Sequence, residues 1–215
     1  MTDTPDRPNL PDSYAGRTAE FEDEGEWWQL DLDGDVFGGA AAGLEVEQTR
    51  LTKVRLSDAW LSKATFLDCE LRQCDLANLH ADDCGLRRVE LVDCRGTGLI
   101  YVGGGVRDVT LRDCRLDLST WRATRFTKVA FVGCDLRGAD FVGADLRGVL
   151  FDTCDLSTAQ MSNAKLAGAR FVRCDLLGLG GVASLAGATV QADDLAALTE
   201  LLAEALGIIV EPTRS

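Results

Sequence analysis

Histidine is nearly missing from this 215-residue chain, which has His80 alone. That excludes most histidine-based active sites and His-rich metal clusters. Proline is scarce too: there are four, and three of them, Pro5, Pro8 and Pro11, fall near the start. No run of 18 apolar residues exists, so no membrane span is expected. The opening MTDTPDRPNLPDSYAG lacks an apolar h-region and predicts no secretory signal. The eight cysteines include no C-x₂-C pair, so neither a metal nor another cofactor is expected. Gly103-Gly-Gly105 lacks the Lys-Ser/Thr of a phosphate loop and reads as a relaxed corner, with Gly104 at a small inward site. These absences together point away from an enzyme.

Acids outnumber bases, 35 to 22, for a net charge of −13. The excess sits at the ends. Residues 1–36 hold 11 acids and 2 bases, whereas residues 37–185 hold 19 of each. Plain electrostatic binding to nucleic acid or to an anionic membrane is therefore not expected. The segment before Phe21, rich in proline and poor in apolar side chains, predicts a disordered or loosely docked tail. Behind it, Phe21-Glu-Asp-Glu-Gly-Glu-Trp-Trp28 reads as a cap in which Trp27 and Trp28 cover the first core layer, or as an acidic-aromatic partner-binding segment.

The middle of the chain repeats with period five. Of the 30 positions taken every fifth residue from Val36 to Gly181, 28 are apolar; the exceptions are Gly96 and Gly181. Two residues earlier, from Gly34 to Leu179, 26 of 30 are Ala, Cys, Gly, Ser, Thr or Val. All eight cysteines occupy that second phase, an arrangement that chance produces about once in 10⁵. Two side chains in five thus point inward, one large and one small. Neither a helix nor an ordinary strand has that period.

Copies such as Cys134-Asp-Leu-Arg-Gly138, Ala144-Asp-Leu-Arg-Gly148 and Cys174-Asp-Leu-Leu-Gly178 resemble the pentapeptide-repeat family, over about residues 36–184. The resemblance implies an all-β solenoid: a right-handed quadrilateral β-helix with four pentapeptides per coil. The residues support that coil length independently. Cys74, Cys94, Cys114, Cys134, Cys154 and Cys174 recur at every fourth pentapeptide, and so do Phe131, Phe151 and Phe171. About seven coils at strand spacing give a rod of roughly 34 Å. The Cys ladder reads as core filler, with reduced thiols that suggest a cytoplasmic protein.

Three segments are expected: an acidic tail and cap over 1–35, the β-helix over 36–184, and a C-terminal cap over 185–215. In the last, Ala192–Leu206 predicts a helix with Leu195, Leu198, Leu202 and Leu206 on one stripe, followed by Ile208-Ile-Val210. It either closes the last coil or also forms a two-fold interface; the resemblance favours a homodimer through this end.

Two outward columns stand out. Trp60, His80 and Ile100, with Val102 beside them, form an apolar row. It is a partner surface, a face that the N-terminal tail covers with Trp27 and Trp28, or simple scatter of apolar residues. Asp135, Asp155 and Asp175 form an acidic row that either serves the backbone at a corner or is presented to a basic groove. The resemblance, closest to the loop-free mycobacterial quinolone-resistance type, implies a non-enzymatic rod that binds DNA gyrase or topoisomerase IV by mimicking DNA. A mimic of B-DNA this long needs about twenty negative charges, and the coil region nets zero. The alternative is a scaffold that uses the apolar face and has no topoisomerase role.

Overall fold

The computed structural model describes residues 4–209, a parallel β-solenoid of about eight turns closed by a short C-terminal helical segment. The five-residue period dictates the register. Thr65–Arg72 pairs with Gly85–Val92, then Gly105–Arg112, then Arg125–Val132, each partner one coil further along. Another side is a four-stranded sheet of Ala40–Ala42, Trp60–Ser62, His80–Asp82 and Ile100–Val102. A further side has no extended strands; single bridges link Arg55, Asp75, Arg95, Arg115, Asp135, Asp155 and Asp175. Each coil hydrogen-bonds only to its neighbours, as at Asp135 N–H to Cys114 O (3.0 Å) and Leu136 N–H to Asp155 O (2.8 Å).

The corners explain the polar composition. The residue two after each large inward residue is left-handed: φ is 54° at Asp68, 53° at Asn78, 53° at Asp83 and 63° at Gly138. Gly, Asn and Asp adopt this conformation at least cost, so they collect at this position.

Inside, like stacks on like. Phe131, Phe151 and Phe171 lie nearly parallel, with ring centroids 5.1 and 5.0 Å apart. Trp121 stacks with Tyr101 at 5.4 Å and with Phe141 at 6.4 Å. Lower in the rod the filling is leaner, and a void of about 50 Å³ lies among Leu61, Ala81, Leu86 and Tyr101.

The ladder begins before Val36. Glu26–Trp28 pairs with Glu45–Glu47, and Asp31–Asp33 with Arg50–Thr52, each pairing now one residue short of a full coil. Val36 itself is exposed; Phe37 packs on Trp27 instead, at 4.9 Å. Ahead of these strands, the segment expected to be disordered or loosely docked lies along the rod. Gly16 bridges Leu30, Asn9 N–H donates to Asp68 Oδ1 (2.9 Å), and Asp6 N–H reaches Asp108 Oδ1 (3.4 Å).

The far end departs from the expected single helix. It forms Ala192–Leu195, a 3-10 turn at Ala196–Leu198 and Thr199–Ala205. The break lets Leu198 turn fully into the core over the last coil. Gln191 and Asp194 satisfy that coil's open edge: their side chains accept the Arg173 and Cys174 N–H groups at 3.1 and 2.9 Å. Val210, the last of the expected apolar tail, lies outside the described residues.

Candidate functional site

The apolar row is assembled by strand register. Trp60 pairs with His80, and His80 with Ile100. Alternation on a strand turns all three outward, while Leu61, Ala81 and Tyr101 turn in. The Trp60 and His80 rings stack at 3.8 Å with 9° between their planes, although Trp60 remains 57 % exposed. Ala40, Ala41 and Ala42 in the preceding coil carry little bulk, which leaves a groove of about 430 Å³ bordered by Trp60, His80, Ile100 and Val102. Asp23 stands at one end, its carboxylate accepting the Ala42 N–H at 2.8 Å.

The described tail residues do not cover this face, contrary to one of the three expectations. Trp27 is buried at the start of the core, and its Nε1–H donates to Glu20 O at 2.8 Å. Trp28 is exposed elsewhere, beside Glu26, Glu45, Glu47 and Thr65. Trp27 thus caps the first layer and Trp28 does not.

The aspartate row is assembled as the spacing predicts, but its carboxylates are engaged. Oδ1 of Asp135, Asp155 and Asp175 accepts the N–H two residues on, at 3.2, 3.0 and 3.0 Å. Arg137 grips Asp135 with two nitrogens, at 2.8 and 2.6 Å, and its Nε lies 3.7 Å from Asp155. That grip holds the Asp135 carboxyl below the usual carboxylate range. The column continues through Arg115 and Arg95, so positive charge interrupts it.

All eight cysteines are buried. Their thiols donate to carbonyls of the adjacent coil and of the residue two before, as at Cys74 to Leu51 O (3.4 Å) and Arg72 O (3.5 Å). Burial pushes Cys69 up to about 12 and Cys84 up to about 11, which suits packing and not nucleophilic chemistry. Among the described residues no three side chains are grouped to hold a metal ion, and no helix is long and apolar enough to cross a membrane.

The C-terminal leucine stripe divides. Leu198 is fully buried and Leu202 half-buried, whereas Leu195 and Leu206 are exposed beside a groove of about 510 Å³ that Val182, Leu185 and Val190 also line.

Docking of the N-terminus was one of two readings of the sequence; the column it docks on, Gln48, Asp68, Asp108 and Lys128, was missed. The signal for docking was proline at every third position: Pro5, Pro8 and Pro11.

Two family models match the chain: a pentapeptide repeat region over residues 105–180, and pentapeptide repeats in eight copies over residues 49–88. No curated protein matches it. Among solved structures, full-length QnrB1, a plasmid-mediated fluoroquinolone resistance protein, is 18 % identical with a TM-score of 0.36, covering 86 % of this chain and 100 % of its own. HetL, a pentapeptide repeat protein involved in heterocyst differentiation regulation in the cyanobacterium Nostoc, is 17 % identical with a TM-score of 0.34, covering 85 % and 89 %. Likeness at this level carries no functional information.

Proposed function

Since this chain belongs to the pentapeptide-repeat family, we propose that it is a non-enzymatic binding rod whose protein partner docks on the face of Trp60, His80 and Ile100. The open groove beside the exposed Trp60 ring supports this reading. A tryptophan held rigid by stacking presents a large apolar surface at little entropic cost, and such residues dominate interface energies. The rod pairs with a second copy through Leu195 and Leu206, which leaves this face free on both copies. Its reduced thiols suit a cytoplasmic protein.

A second reading keeps a type II topoisomerase as the partner. The net charge of −13 and the stacked Asp135, Asp155 and Asp175 favour it. The arginines within and beside that column weigh against it.

One pair of experiments separates the two. Affinity capture from a bacterial extract compares the native chain with the Trp60→Ser/Ile100→Ser variant. The face reading expects a partner whose capture falls at least about tenfold in the variant; equal capture by both sinks it. Gyrase supercoiling is then followed with and without a quinolone across a salt series. The face reading expects no change. Inhibition or protection that fades with salt and disappears in Asp135→Asn/Asp155→Asn/Asp175→Asn would install the second reading.

A further inference from the structure

The N-terminal segment does not lie on the rod at random. Its contacts follow one outward column, Gln48, Asp68, Arg88, Asp108 and Lys128, to which successive coils contribute one residue each. Gln48 Nε2 donates to Asn9 O at 3.3 Å. Asp68 accepts the Asn9 N–H, and Asp108 accepts the Asp6 N–H. Lys128 Nζ lies 3.9 Å from the Asp6 carboxylate and 3.8 Å from Asp108. Both accepting carboxylates are nearly out of solvent, Asp68 at 3 % and Asp108 at 5 % exposure. Arg88 holds Asp68 in place with a two-pronged contact at 2.7 and 2.6 Å.

The spacing is selective. Asp6 and Asn9 are separated by one turn of a three-residue repeat, and their acceptors are two coils apart. Two coils rise about 9.6 Å. One full turn of polyproline II helix rises about 9.3 Å. The two repeats therefore match. Proline recurs with the same period, and Pro5, Pro8 and Pro11 are each half-buried, while Asp6, Arg7, Asn9 and Asp12 are exposed. The prolines thus turn toward the rod at every third residue, and Leu10, also half-buried, joins them. Proline has no N–H of its own, so the amide that follows it is the one offered to a carboxylate.

We propose that this column is a binding site for polyproline II segments with proline at every third position. The chain's own residues 5–11 are its built-in occupant, and a partner's proline-rich segment of the same spacing displaces them. The recognition combines apolar packing of the prolines with buried carboxylates that accept the intervening amides. An extended segment is already close to its bound shape, so little conformational entropy is lost on docking. This site is on a different side of the rod from Trp60 and does not depend on that face binding anything.

The probe is a fluorescent peptide of residues 4–16. It is titrated against the full-length chain and against full-length Pro5→Gly/Pro8→Gly/Pro11→Gly, whose own strap is loosened. Binding to the variant is expected to be at least tenfold tighter than to the native chain. A peptide of the same composition with its prolines at irregular spacing is expected to bind the variant at least tenfold more weakly, and so is the native peptide when Asp108→Asn is added to the variant. The proposal is overturned if a variant that keeps its strand circular dichroism does not bind the peptide, or binds both peptides alike. Should the variant lose that signal, amide exchange at Asp6 and Asn9 in the native chain decides. Excess native-sequence peptide should accelerate it, and no acceleration overturns the proposal. Dimers of the native chain that excess peptide dissolves would assign the site to a second copy and overturn the assignment to a partner.

Discussion

Gly104 differs from the other small inward residues beyond Leu44 because its backbone is left-handed, at φ 62°. A Cβ there would run into Cys84 O, the same carbonyl that accepts the Tyr101 hydroxyl at 2.5 Å. Its neighbour Gly103 is also left-handed, at φ 70°, but has room: nothing comes nearer than 3.8 Å to a Cβ. Gly104→Ala is therefore expected to cost about 2–4 kcal/mol and Gly103→Ala about 1 kcal/mol. Denaturant midpoints of the two variants check this, and equal shifts would show that the clash is absorbed. At this scale the sequence was legible where chemistry sorted by phase. Most large apolar residues and all the cysteines fell into two of five positions, and those positions supply most of the core. The left-handed third position was less legible, because Lys53, Arg88, Lys128 and Thr153 also occupy it and hide the preference for Gly, Asn and Asp.

At the scale of elements, the two ends of the solenoid are the places where the period stops dictating geometry. The offset between paired strands falls one residue short of a full coil at both, as in Trp27 with Val46 and Phe171 with Val190. The C-terminal helix was legible from its leucine stripe. Its break was not, because only the shape of the last coil calls Leu198 inward. For the same reason the stripe does not act as a unit. Leu195→Glu/Leu206→Glu is expected to convert the proposed dimer to monomer in sedimentation equilibrium without moving the melting temperature by more than about 2 °C, since both side chains are exposed. Leu198→Ala is expected to lower the melting temperature instead, at a cost of about 2–5 kcal/mol. A monomeric native chain would remove the interface from the account. The N-terminal strap was half legible, because its residues satisfy the composition of a disordered tail as well as of a docked one. What holds it down, the Asp68 and Asp108 carboxylates and the Gln48 amide, belongs to separate coils and comes together only when the coils stack.

The whole molecule carries a formal charge of −13, yet many of its described acids serve the rod and do not project from it. Asp68 shows the balance: burial pushes its carboxyl up, but the Arg88 guanidinium and the Asn9 N–H outweigh burial and hold it below the usual range. Glu70, gripped by Arg72 and Arg50, and Asp145, gripped by Arg147, are lowered as well. A carboxyl lowered in the folded state adds stability that is complete above its unfolded value and is lost as pH falls through the folded value. Melting temperature is therefore expected to hold steady from pH 7 to about 5 and to fall steeply below about pH 4. Circular dichroism melts from pH 7 to 2 check this, and a flat profile would show that these pairs contribute nothing. The stacking also has a mechanical consequence. The bonds between coils run along the rod, and each coil holds only its neighbours. Pulled by its two ends, the molecule would first give up the strap and then peel one coil at a time. Each step would release four pentapeptides, a gain in length of roughly 60–65 Å. The chain would extend as a ratchet of equal steps, with the sparsely filled coils around Ala81 yielding before the stacked phenylalanines.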